Sequence, residues 1–270
     1  MNTDSIKAKL EKFTPKPKQS EKKEKIDYTK IYWKPKAGKY IVRIVPNKFT
    51  KGDPFQEIYF HYGINKFPML ALTNWGEKDP IVDFASELKK NFMEHKELIK
   101  KLTPKMRIFV PVIVRGEEDK GVRLWEFGKE IYMQLLNFAN DEDYNNYDDI
   151  AEGRDLTLEF IDDKMANKNV VKCSSVRIKP KTSNLSEDAE QVKIWLENQP
   201  DILSINIKYS YDGMKNILAK WLNPEEEVSN EFGEDDSTVE TETPVIAETV
   251  IPTKTKKSKA FEELFKPDEE

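Results

Sequence analysis

Cysteine occurs once in these 270 residues, as Cys173, and histidine twice, as His61 and His95. A single thiol excludes an internal disulfide framework and any zinc site built on several cysteines. Neither histidine sits in a catalytic or metal-ligand spacing. No Walker loop, no GxGxxG after a strand and no GxSxG elbow is present, so nucleotide-binding and serine-hydrolase chemistry have no footing. Acidic pairs such as Asp148-Asp149 and Asp162-Asp163 read as solvated loop acids. No run approaches the roughly 18 apolar residues of a membrane span, and Met1 to Phe13 lacks the apolar stretch of a signal peptide, so a reducing cytoplasm is the expected compartment. These absences point away from an enzyme and away from any cofactor or metal.

What is present is charge, unevenly placed. The net charge is −5, but residues 223–270 hold 15 acidic and 5 basic side chains, while residues 1–48 hold 14 basic and 5 acidic. A positive head and a negative tail suggest a polyanionic partner for the head, with the tail competing for the same surface. The chain then divides into three. Residues 1–25 form a basic N-terminal arm. In it a short helix carries Ile6, Leu10 and Phe13 on one face and Lys7, Lys9 and Lys12 on the other, followed by a proline- and charge-rich linker from Thr14. This arm is the expected self-association element, through Ile6, Lys7, Lys9, Leu10 and Phe13. Residues 26–222 are the expected folded core. Residues 223–270 form a tail with ten acidic and no basic residues from Asn223 to Pro252, expected to be disordered. It ends in the apolar–acidic patch Phe261, Glu262, Glu263, Leu264 and Phe265, suited to docking in a partner's groove.

Within the core, alternation and turn residues predict strands at 39–45, 54–62, 106–115, 121–127, 156–161 and 170–179. Pro111 argues for an edge or a bulge in its strand. Helices are predicted at 83–101, 129–139, 187–198 and 211–222. Short strands with helical insertions indicate a mainly β, α+β fold, with a five-stranded OB-like barrel as the expected core. Its strands interleave cations and rings: Arg43, Tyr59, Lys105, Arg107, Arg115, Arg123, Trp125 and Lys129, then Lys172, Arg177, Lys179 and Lys181. Single-stranded nucleic acid is held by cations that follow phosphates and by flat rings on which bases stack. Trp125 is the expected stacking ring, because core side chains are expected on the opposite, Val122–Leu124 face.

Several segments resemble the helix-destabilising single-stranded DNA-binding protein of T4-like phages. Gly38 to Pro46 (GKYIVRIVP) resembles that family's first barrel strand, and Pro54-Phe55 with His61 the next. Val112 to Arg115, a short loop and Trp125 to Tyr132 (WEFGKEIY) resemble its central hairpin and following helix. The order of basic arm, core and acidic tail also matches. The resemblance implies an OB-fold core and a protein that coats single strands and destabilises duplex. It further implies work in phage replication, recombination and repair in the cytoplasm of an infected bacterium, with neighbouring copies and replication or recombination proteins as partners. It also implies a structural zinc held by one histidine and three cysteines. His61 matches the histidine, but residues 62–100 contain no cysteine. The 61–100 subdomain is therefore expected to be zinc-free and packed by Phe67, Leu70, Leu72, Ile81, Phe84 and Leu88. No match to the family's Lys-Arg-Ser-Thr motif lies in Met1 to Phe13. An RNA-binding regulator on the same fold and a non-enzymatic scaffold are the alternative readings.

Overall fold

The computed structural model describes residues 27–165 and 168–223, together with Phe261, Leu264 and Phe265. The N-terminal arm with Ile6, Lys7, Lys9, Leu10 and Phe13, the segment 224–260, and Glu262 and Glu263 lie outside the described residues.

The core is one mostly antiparallel sheet with helices on both faces. In chain order the elements are α1 (Tyr28–Ile31), β1 (Gly38–Ile44), β2 (Gln56–His61), β3 (Met69–Leu70), α2 (Pro80–Leu88), α3 (Phe92–Leu102), β4 (Lys105–Val114), β5 (Arg123–Phe127), α4 (Lys129–Ala139), β6 (Arg154–Met165), β7 (Lys168–Thr182), α5 (Ala189–Glu197), α6 (Ile202–Ile205) and α7 (Tyr211–Leu222). The strand order is β3-β2-β4-β1-β6-β7, with β5 on the other edge of β4. The α+β class therefore holds. The expected five-stranded OB-like barrel is not what is found: there are seven strands, and no pairing among the described residues joins the two ends of the sheet.

β4 organises the sheet. Along one edge its first half pairs with β2 (Gln56↔Phe109 to Phe60↔Lys105) and its second half with β1 (Val42↔Val114 to Ile44↔Val112). Along the other edge it pairs with β5. Pro111 thus lies inside the strand with the most partner strands, not at an edge or bulge. Its carbonyl accepts from the Val45 N–H, and a strand residue's N–H points the same way as its carbonyl. The missing donor therefore falls at the handover from β2 to β1, where no pairing needs it.

Alternation then assigns the faces. Val42, Ile44, Ile108, Val110, Val112, Val114, Leu156 and Leu158 point inward and meet the apolar side of α4, including Leu135. The outer face is covered in two places, Ile113 and Val45 by Trp195 of α5, and Phe109, Phe60 and Leu124 by Ile202 of α6. The 83–101 stretch proves to be two helices, α2 and α3, joined by a 3₁₀ turn at Lys89–Asn91. The break turns Leu98, Ile99 and Leu102 back onto Ile81, Phe84 and Leu88, where Met214 and Leu218 of α7 complete a helical cluster. A single straight helix would carry half of those side chains into water.

Two expectations for the 61–100 subdomain are corrected. Phe67 is 43% exposed and so takes no part in the packing, and Leu70 belongs to the outer sheet face. Leu72, Ile81, Phe84 and Leu88 pack together as expected.

Candidate nucleic-acid interface

The outer face of β4 carries Lys105, Arg107, Phe109 and Ile113 at alternate positions, and Arg115 follows just beyond its end. Because the middle of this face is covered by α5 and α6, two separate charged patches remain at its ends. Arg107 and Arg115 are eight residues apart, about 26 Å along a strand.

The first patch lies where β2 ends and β4 begins. Tyr62, just beyond β2, points to the outer face beside Phe60, at 5.9 Å between ring centroids. Lys105 Nζ stands 5.9 Å over the Tyr62 ring. The Arg107 guanidinium stands near the Tyr62 phenol and draws on it electrostatically, and it pairs with Glu126 at 3.4 Å, both side chains remaining over two-fifths exposed. Burial pushes the Tyr62 phenol above its ordinary range against the pull of Arg107, so the ring stays neutral. Arg107 also reaches Gly128, where an added Cβ would lie 3.6 Å from its Nη1; Gly128 caps α4, which brings exposed Lys129 to the same patch. From here a line of rings continues through Phe60–Phe109 (6.0 Å), Phe109–Tyr32 (6.2 Å) and Tyr32–Tyr28 (6.3 Å, nearly parallel at 20°). Phe60 and Phe109 are buried, whereas Tyr62 and Tyr32 are half-buried and Tyr28 is 52% exposed. Cations beside accessible rings are the pair of properties that a single strand requires.

The second patch is centred on one carboxylate. Asp155 takes Arg115 at 3.0 Å, Arg43 at 3.8 Å and Lys179 at 3.8 Å. Arg43 is fully buried and donates to the carbonyls of Asp149 (2.7 Å) and Ser183 (2.8 Å). Arg115 donates to the carbonyls of Leu185 and Asn184. These two arginines tie the segment after β7 to the sheet. Arg177 on β7 is exposed and bonds Ser175, and Lys172 and Lys181 are exposed along the same strand, Lys172 at 4.0 Å from Glu130.

Three exposures expected from the sequence are corrected. Trp125 is 2% exposed and packs with Phe127 (4.5 Å), Trp33 (6.0 Å) and Phe160 (6.5 Å). The pairing Val110↔Trp125 places it on the inner face, and the Val122–Leu124 side is the outer one. Arg123 is buried against Glu117 at 2.6 Å, and Arg43 is the structural tie described above. Tyr59 pairs with Met106, on the face opposite Arg107. The rings that the sequence reading passed over are Tyr62, Tyr32 and Tyr28. Two signals mark them: the Phe60-x-Tyr62 alternation, and the four-residue spacing of Tyr28 and Tyr32, one helical turn apart.

The zinc implied by the resemblance does not fit these residues. His61 is 1% exposed, and both its ring nitrogens are engaged, Nδ1 with the Leu102 carbonyl at 3.2 Å and Nε2 with Asp79 at 3.1 Å. Asp79 also accepts from the Leu72, Ile81 and Val82 N–H groups and so caps α2. Burial alone would raise the Asp79 pKa, yet these bonds together hold it below the usual carboxylate range. Among the described residues no group of three or more His, Cys, Asp or Glu side chains is arranged to hold a metal ion.

Residues 36–220 match the family described as gp32 DNA binding protein like. No curated protein matches the chain.

Proposed function

Since the chain belongs to the gp32-like DNA-binding family, we propose that it is a non-enzymatic single-stranded DNA-binding protein that coats and protects transient single strands. The observation that carries the reading is the family match across 36–220, and the ring-and-cation patch of Tyr62, Lys105 and Arg107 supports it. Preferential binding to the single strand lowers the free energy of the melted state, so duplex opens without a catalytic step. The function falls in phage DNA replication, recombination and repair, in the cytoplasm of an infected bacterium. The basic arm meets neighbouring copies, and the acidic tail recruits replication and recombination proteins while competing for the DNA-binding surface. The handover of β4 from β2 to β1 supports reading the sheet as an elaborated, opened relative of the OB barrel.

The test is fluorescence anisotropy of labelled oligo(dT), oligo(rU) and a matched duplex. Binding should favour the DNA single strand over duplex, and affinity should fall with salt on a log–log slope of about −0.7 per neutralised phosphate. A flat salt response would remove the electrostatic surface, and a preference for oligo(rU) would make the protein an RNA-binding regulator.

A further inference from the structure

The helical cluster of α2, α3 and α7 carries a guest from the far end of the chain. The Phe265 N–H donates to the Phe261 carbonyl at 3.1 Å, closing one helical turn. Phe261, Leu264 and Phe265, spaced i, i+3 and i+4, therefore share one side of that turn. All three pack on the cluster. Phe261 meets buried Phe84 of α2 edge to face at 5.7 Å. Phe265 lies 4.7 Å from Phe261 and 6.5 Å from Tyr211 at the start of α7, and Lys215 Nζ stands 4.6 Å over its ring. An open cavity of about 380 Å³ remains at the seam. It is lined by Lys78, Asp83, Glu87 and Tyr211 on the core side and by Leu264 and Phe265 on the other.

A turn this short does not form alone in water, because fixing its backbone costs more than one hydrogen bond returns. Its order comes from the groove. The connection is also far longer than the contact needs. Asn223 and Phe261 are separated by 37 residues, which fully extended would span about 120 Å, yet Leu222 and Phe261 belong to one cluster. The described residues that flank this stretch, Leu222 and Phe261, thus lie at the same helices.

We propose that the α2–α7 groove is a docking site for a helical turn of pattern Phe-x-x-Leu-Phe, with the chain's own Phe261–Phe265 as resident occupant. The contact is a latch. Tethered at an effective concentration on the order of millimolar, the motif occupies its own groove first, and any protein recruited through the motif competes with that groove for it.

The probe is a fluorescein-labelled peptide of residues 258–268, titrated into two full-length chains, the natural one and Phe261→Ser/Phe265→Ser. The substituted chain has an emptied groove and should bind the peptide. The natural chain should bind it at least about tenfold more weakly, because the tethered copy competes. Adding Tyr211→Ala or Lys215→Glu to the emptied chain should weaken binding again, and a peptide with both phenylalanines replaced by serine should not bind. Equal binding to both chains, or binding to neither, would overturn the latch. Nucleic acid is absent throughout, so the result is independent of the DNA-binding reading.

Discussion

Trp125→Ala separates a core residue from a stacking one. The ring is 2% exposed and wedged between Trp33, Phe127 and Phe160. An aromatic side chain of this kind buries roughly 150–250 Å², which at about 25 cal/mol per Å² is worth about 4–6 kcal/mol. Measured truncations of buried Phe or Trp fall at about 3–5 kcal/mol. A domain is stable by only about 5–15 kcal/mol, so the variant should lose about a fifth of its stability at the least and most of it at the other extreme. With a urea slope of about 2 kcal/mol/M, the unfolding midpoint should drop by about 1.5–2.5 M. Affinity for oligo(dT), corrected for the folded fraction, should stay within about twofold, since every face of the ring is covered by protein. The assay pairs urea unfolding with anisotropy on the same sample. An unchanged midpoint with affinity lowered tenfold or more would refute the burial argument and restore Trp125 as a base-stacking ring.

Tyr62→Ala should behave oppositely, weakening oligo(dT) binding by roughly 1–3 kcal/mol if a base stacks there while leaving the urea midpoint nearly unmoved; anisotropy and urea unfolding read the two effects. Gly153→Ala should cost about 1–3 kcal/mol by overpacking, because the added methyl meets the Arg43 guanidinium and the Asp149 and Tyr147 carbonyls, the last at 2.7 Å, and the urea midpoint reports it. The Asp79 pKa is held down in the fold. Its contribution is therefore present above the ordinary carboxylate pKa and lost as pH falls through the folded value, so below about pH 4 the natural chain should lose stability faster than Asp79→Asn in thermal melts.

Much of the architecture was legible because it rests on local rules. The 129–139 and 211–222 helices have one apolar side and start beside Gly128 and Ser210, so their bounds coincide with α4 and α7. Strand positions followed from alternation, although β6 and β7 extend beyond the apolar runs that marked them. What failed was the choice of face. Arg123 and Trp125 alternate correctly, but which face is inward depends on register with β4, a long-range fact that no single strand contains. Arginine misled for a related reason. Exposed and buried guanidinium groups read alike in a sequence, and Arg43 is buried only because the carbonyls of Asp149 and Ser183 converge on it from 106 and 140 residues away. The short elements α1, β3 and α6 carry too few residues to show a period, and with α1 went Tyr28 and Tyr32.

The same strand rule links the position of the zinc implied by the resemblance to the ring-and-cation patch. His61 and Tyr62 are consecutive, so when one side chain points into the subdomain the other points out of the sheet. A metal would fix the inward residue by coordination. Here the His61 ring is clamped at both nitrogens, by Leu102 at the end of α3 and by Asp79 at the start of α2. That clamp joins the end of β2 to both helices, and Lys105 follows Leu102 by three residues at the start of β4. The two groups that meet above the sheet, the Tyr62 ring and the Lys105 ammonium, are therefore each within three residues of one end of the same buried hydrogen bond. Hydrogen bonds here do the positioning that a metal would otherwise do, and the accessible ring and its cation keep their registry because His61 cannot turn.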